Sequence, residues 1–174
     1  MRHAQSSGQG ANCELTETGQ MQAQALAARL EALKIEHLVS SPYRRAVATL
    51  EPFANRHAKA IKTVQGLHER ILSGTSQPDW RRHIEVSFHD RDYAAPGGES
   101  FNQVASRAMI ALRDSLAARP GTIAAATHGN LIASVLHKID PEFGYSDWQG
   151  LTNPDLIWLV FEGQDVLTYE RVAA

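Results

Sequence analysis

The sequence predicts an α/β fold, a three-layer sandwich whose mainly parallel central sheet is flanked by helices. Three observations carry that expectation. Short apolar bursts alternate with amphipathic stretches along most of the chain, the pattern of strands joined by helical crossovers. Thr122-Ile123-Ala124-Ala125-Ala126-Thr127 is an almost unbroken apolar run, as suits a strand covered on both faces. Residues 99–118 place Phe101, Val104, Ala105, Ala108, Leu112 and Leu116 on one helical face, the strongest periodic signal in the chain.

The other elements follow in order. Residues 17–33 carry Met21, Ala25, Leu26, Leu30 and Leu33 at helical spacings behind Thr16, which can cap, and predict an amphipathic helix. His37-Leu38-Val39-Ser40 is a short strand that stops at Ser41-Pro42, where proline can open a helix over residues 43–57. Residues 61–64 predict another short strand. Residues 71–98 are irregular and rich in Pro, Gly, Asp, His and Arg, and predict a cap or loop insertion. Pro120-Gly121 closes the helix at 99–118, and Gly129 opens another that runs to about Ile139. Residues 155–162 and 165–171, separated by Gly163-Gln164, predict a terminal β-hairpin.

No repeat or low-complexity linker divides the 174 residues, so one domain over 1–174 is expected, and its 43% hydrophobic content suffices for a core. The formal net charge of -2, with both signs interspersed, gives neither a nucleic-acid track nor a membrane-surface patch. Any anion site must be local. Cys13 is the only cysteine, which excludes an internal disulfide framework and points to a reducing compartment. No apolar run reaches the roughly 18 residues a membrane span needs, and the first fifteen residues are polar, so a cytoplasmic protein is expected. The sequence leaves monomer and homodimer both open.

Four segments place ionisable or small residues just after predicted strands, where open α/β sheets bind ligands. They are Arg2-His3-Ala4-Gln5-Ser6, Ser40-Ser41-Pro42-Tyr43-Arg44-Arg45-Ala46, Leu67-His68-Glu69-Arg70 and Thr127-His128-Gly129-Asn130. Together with Leu15-Thr16-x-x-Gly19-x-x-Gln22-Ala23 and Gly97-Gly98-Glu99-Ser100, this ordered set resembles the histidine phosphatase superfamily, which includes cofactor-dependent phosphoglycerate mutases. The resemblance implies that His3 attacks phosphorus, that Arg2, Arg45 and His128 hold the phosphoryl oxygens, and that Glu69 protonates the leaving oxygen. Ser6 matches a phosphate-contacting serine of that family.

Elementary chemistry supports those roles. A phosphate monoester brings about two negative charges, and two guanidinium groups meet them as permanently charged, fork-shaped donors. A neutral imidazole is a good nucleophile near pH 7, and a neighbouring arginine favours the neutral form. A carboxylic acid such as Glu69 can protonate an alkoxide if burial raises its pKa. Asn130 begins a helix whose N–H groups attract anions. Arg44 and Arg45 point about 100° apart on a helix, so one faces the pocket, and Arg45 is the choice here. A surface carboxylate paired with Arg70 is the bland alternative for Glu69. The histidines at 37, 57, 68, 83, 89 and 137 show no tight ligand spacing, and neither a metal nor another cofactor is expected. Trp80, Arg81, Arg82, His83, His89, Arg91 and Tyr93 are candidates to recognise the rest of the substrate.

Departures from the family pattern are specific. Ala4 and Gln5 stand where glycine and an acidic residue are usual, and Gln9 replaces a usual asparagine. Only Met1 precedes Arg2, although the resemblance implies a central strand ending at Arg-His. A truncated first strand is therefore expected, with Met1 an internal methionine of a longer natural product. The loss removes several hydrogen bonds of about 1 kcal/mol each, and this chain is expected to be weakly active. The expected function is a phosphatase acting on a small phosphorylated metabolite. A phosphoglycerate mutase, a catalytically impaired phosphate-binding domain and a phosphohistidine phosphatase are the alternatives.

Overall fold

The structure, a computed structural model, describes residues 1–75 and 78–172; residues 76–77 of the expected insertion and residues 173–174 lie outside the described part. Helix α1 spans Glu17–Glu31, and Thr16 caps it by accepting a hydrogen bond from Gly19 N at 3.0 Å. Its buried stripe is Gly19, Ala23, Leu26, Ala27 and Leu30, an i, i+4, i+7, i+8, i+11 series. Met21 and Ala25, expected on that face, are exposed, because the small residues at 19, 23 and 27 set the line along which α1 meets its neighbours.

Strand β1 (His37–Ser40) lies between β2 (Ile61–Thr63) and β3 (Ile123–Ala126), all parallel, in the order β2-β1-β3. Alternation along β1 makes the layers. Leu38 points into a cluster with Leu26, Leu30, Leu50 and Phe53, from α1 and α2 (Arg44–Arg56). Val39 points to the opposite face, against Leu67 and Ala111. Ala111 belongs to α4 (Phe101–Ala118), which starts with a reciprocal Ser100/Gln103 capping box and packs on α5 (Gly129–Ile139) through Val104, Ala105, Ala108, Leu131 and Val135. Helices on both faces of a parallel sheet are the architecture the sequence predicts.

The irregular stretch differs from expectation. It contains helix α3 (Trp80–His89), whose Ile84 is fully buried and whose Phe88 ring meets Phe101 at 5.0 Å. Only a few apolar side chains anchor it, so Arg and His dilute its periodicity. After a short helix α6 (Tyr145–Gln149), β4 (Leu156–Glu162) and β5 (Asp165–Val172) form the terminal hairpin, with Gly163 at φ +60° in its turn.

The chain start sits between the parallel sheet and this hairpin. Thr127 N donates to Met1 O and His3 N to Thr127 O, both at 2.9 Å, while Arg2 N donates to Asp155 O at 2.9 Å. Arg2 thus bridges β3 to the hairpin, through a parallel bridge to Thr127 and an antiparallel one to Asp155. Upstream of it, an apolar trough of 330 Å³ opens between β3 and β4, lined by Leu30, Leu33, Ile35, Leu112, Leu131 and Ile157 among others.

Candidate active site

The site lies at the carboxyl ends of β1 and β3, where the loops after both strands meet the chain start. His3 is 6% exposed. Its Nδ1 lies 2.7 Å from Ala4 O, and Arg45 Nε donates to its Nε2 at 3.0 Å. A carbonyl can only accept and a guanidinium can only donate, so the tautomer is set: Nδ1 carries the proton and Nε2 carries the lone pair. Burial, with the added charges of Arg45 and Arg2, pushes the imidazole pKa down to about 4 despite the Ala4 carbonyl. His3 is neutral at any physiological pH.

Two loop contacts hold the residue in place. Ala4 N donates to Thr49 Oγ1 at 2.9 Å, and Asn153 Nδ2 donates to His3 O at 2.6 Å. Ala4 is fully buried with Leu15, Ala23 and Ala48, so its methyl group has a seat. Gln5 is also engaged: its N–H donates to Gln22 and its Oε1 accepts from Thr16 Oγ1. Gly19 is required because a Cβ there would lie 1.9 Å from Gln5 O. The Thr16, Gly19 and Gln22 pattern noted in the sequence is therefore a dock for the loop after His3.

Arg45 is fully buried and Arg44 is not. Arg45 Nη1 donates to Gln9 O at 3.0 Å and Gly10 O at 2.9 Å, and its guanidinium lies 4.9 Å from the Tyr43 ring centre. Gln9 thus engages Arg45 through its main-chain carbonyl. Arg44 pairs at the surface with Glu14 and Glu51. Arg2 Nη1 donates to Leu151 O at 2.6 Å, and its Nε would lie 3.2 Å from a Cβ at residue 129, so Arg2 packs closely on Gly129 at the α5 N-terminus.

His128 is fully buried and its ring lies 5.1 Å from that of His3. Its Nε2 shares a hydrogen bond with Ser41 Oγ at 2.7 Å, and burial followed by the Arg45 charge holds its pKa well below the ordinary value. Arg2 Nε, Arg45 Nη2 and His128 Nδ1 are all buried without a hydrogen-bond partner among the described residues. Such groups cost free energy unless something satisfies them. An anion beside His3 would.

Glu69 faces this group from the turn after β2. Its Oε1 accepts from Arg70 N at 2.8 Å and Leu131 N at 3.1 Å, while Oε2 has one long contact of 3.4 Å from Asn130 N. Burial raises its pKa even against those N–H groups and Arg45. Arg70 does not form the surface pair considered above: it is buried over the Phe101 ring, with Nε donating to Glu99 O. Asn130 Oδ1 is buried and unpartnered among the described residues, whereas Ser6 Oγ donates to Gly8 O at 2.9 Å within its own loop. Tyr43, whose ring lies 5.0 Å from His128, is a wall of the site that residue types alone did not single out. Among the described residues no group of three His, Cys, Asp or Glu side chains is gathered as for a metal ion, and no helix is long and apolar enough to cross a membrane.

Fold and site together define an α/β protein in which two buried histidines and two arginines converge at the carboxyl ends of its strands. The chain belongs to the histidine phosphatase superfamily (branch 1), whose sequence pattern it matches over residues 1–168. It is 29% identical to a 2,3-bisphosphoglycerate-dependent phosphoglycerate mutase of Mesorhizobium japonicum, over 75% of this chain and 71% of that protein. Among solved structures it is similar to a mycobacterial glucosyl-3-phosphoglycerate phosphatase with inorganic phosphate (TM-score 0.76, 24% identity, 99% of this chain and 93% of that one). It is also similar to a phosphoserine phosphatase mutant of Entamoeba histolytica with phosphoserine (TM-score 0.75, 20% identity, 97% and 93%). At these identities the two structures attest the fold.

Proposed function

We propose that the chain is a cytoplasmic phosphomonoester hydrolase that passes the phosphoryl group of a small metabolite through His3, with Glu69 as general acid. The observation that carries this reading is the state of His3 Nε2, which is unprotonated, buried and close to unpartnered guanidinium N–H groups of Arg2 and Arg45 and to the unpartnered Nδ1 of His128. In the first displacement the Nε2 lone pair attacks phosphorus, the ester P–O bond breaks, and Glu69 gives its proton to the departing oxygen. In the second, water attacks the same phosphorus, Glu69 takes up the proton, and the P–N electrons return to Nε2. Two in-line steps replace one harder one. Arg2, Arg45 and His128 meet the equatorial oxygens in both, with Ser6 and Asn130 as secondary phosphate contacts in this reading. Arg45 must move its Nε–H from His3 to the phosphate as substrate arrives.

The mutase of Mesorhizobium japonicum favours a second reading, in which the phosphohistidine returns its group to a sugar-acid hydroxyl. Against it, residues 71–98, the expected cap, hold one ten-residue helix among the described residues, and a cover that short favours water as the acceptor. Rapid quench with labelled phosphate esters, followed by peptide mapping, tests both. Label on His3 that is released as inorganic phosphate supports hydrolysis; transfer to a glycerate acceptor supports the mutase; no label on His3 ends both. His3→Ala should abolish turnover. Glu69→Gln should slow alkyl phosphates about a hundredfold and p-nitrophenyl phosphate only slightly, because a nitrophenolate needs no proton.

A further inference from the structure

Glu69 sits in a loop, yet a general acid must be held within a fraction of an ångström. Arg107, on α4 and outside the phosphate pocket, is what ties this loop down. Its Nη1 donates to Gly66 O at 2.8 Å and His68 O at 2.9 Å, and its Nη2 reaches Glu69 O at 3.4 Å. The same guanidinium is bidentate to Glu99, with Nε to Oε1 at 2.7 Å and Nη2 to Oε2 at 2.9 Å. Glu99 grips the far side of the acid: Oε2 accepts from Ile71 N at 2.9 Å, and its carbonyl accepts from Arg70 Nε at 2.8 Å. The ion pair therefore bonds residues 66, 68, 69 and 71, and the Glu99 carbonyl adds Arg70.

We propose that Arg107 and Glu99 are positioning residues for the general acid, a clamp that fixes where the Glu69 carboxyl group meets the leaving oxygen; the proposal rests on Glu69 being that acid. The backbone is shaped for it. A Cβ on Gly66 would lie 2.7 Å from Ala111 Cβ and 2.9 Å from Arg107 O, so only glycine lets the loop lie this close to α4. The pair is partly buried, each side chain being 19% exposed, so water competes little for its hydrogen bonds. Burial alone would raise the Glu99 pKa, but the hydrogen bonds from Arg107 and Ile71 N hold it below the usual carboxylate range, and the pair stays charged. His68 Nε2 lies 3.9 Å from Glu99 Oε2.

Lysine keeps the charge beside Glu99 but cannot span three carbonyls and a carboxylate at once. Arg107→Met and Arg107→Lys should lower kcat on an alkyl phosphate, by about a hundredfold and somewhat less respectively, and change kcat on p-nitrophenyl phosphate less than about threefold. KM should hold, since the phosphate donors are untouched. In a Glu69→Gln background either substitution should cost nothing further on the alkyl ester. Equal losses on both esters, or the full loss in the Glu69→Gln background, would overturn the clamp and leave the acid role standing. If Glu69→Gln itself slows both esters alike, the acid reading falls and takes the clamp with it. Where Arg107→Met fails to fold, Arg107→Lys and Glu99→Gln carry the same comparison.

Discussion

The two ends of β3 pose opposite problems. At its carboxyl end, Thr127 and His128 meet Arg2 and His3, and buried N–H donors there lack partners among the described residues. At its amino end, Ile123 to Ala125 border an apolar trough whose far wall is β4. Each of these strands is paired along one edge, β3 with β1 and β4 with β5, and among the described residues only Arg2 bridges the two. Polar groups short of an anion and strand edges short of a strand are both unsatisfied, but in different currencies. The first deficit can be met by a substrate. The second can be met only by backbone and apolar side chains.

The largest effect that tests the contrast belongs to the pocket. Arg45→Met removes the charge beside His3 and the grip on the carbonyls of Gln9 and Gly10. It should lower kcat/KM on p-nitrophenyl phosphate by a hundredfold to a thousandfold, about 3–4 kcal/mol. Arg44→Ala should change it little, because its pairs with Glu14 and Glu51 lie at the surface and such pairs are worth at most about 1 kcal/mol. If both arginines matter equally, burial is not what distinguishes them.

Next comes the trough. Five alternating apolar residues joined upstream of Met1 can pair with both open edges. Hydrogen bonds of about 1 kcal/mol each and the burial of two or three side chains outweigh the ordering entropy by about 3 kcal/mol. The melting temperature should rise by roughly 6–12 °C, while an extension of five glycines and serines should leave it unchanged. Equal melting of the two chains would show that the trough is not shaped for a strand.

Much of this was legible in the sequence because it is local. The helix starting at Gly129, the hairpin turn at Gly163 and the Thr16 cap depend on neighbours a few residues away. The four site motifs are local too, each a strand end. What stayed hidden depends on contacts distant along the chain. Glu99 stood out only as part of a Gly-Gly-Glu-Ser turn, and its tie to a loop some 30 residues earlier leaves no pattern in residue types. Met21 reads as core by hydrophobicity, but small residues decide how closely helices approach. The seat for the Ala4 methyl is built by Leu15, Ala23 and Ala48, residues far from it in the chain, so no local pattern shows it.

The smallest effect separates the two ends of β3 by pH. The Met1 ammonium donates to Ala125 O at 2.7 Å at the mouth of the trough, and burial pushes its pKa from 8.0 to about 6, with Asp155 opposing. Between those values the unfolded chain binds more protons than the folded one, so stability rises with pH there. Lowering the pH from 8 to 6 should cost about 2 kcal/mol, read as a falling urea midpoint. His3 acts lower down: its pKa falls from 6.5 unfolded to about 4 folded, so a further loss should set in below pH 6.5 and continue to about pH 4. An upstream extension turns the amine into an amide. It should abolish the loss between pH 8 and 6 and leave the lower one intact, whereas His3→Asn should do the reverse. A single transition that answers to neither change would mean that the trough and the pocket titrate as one.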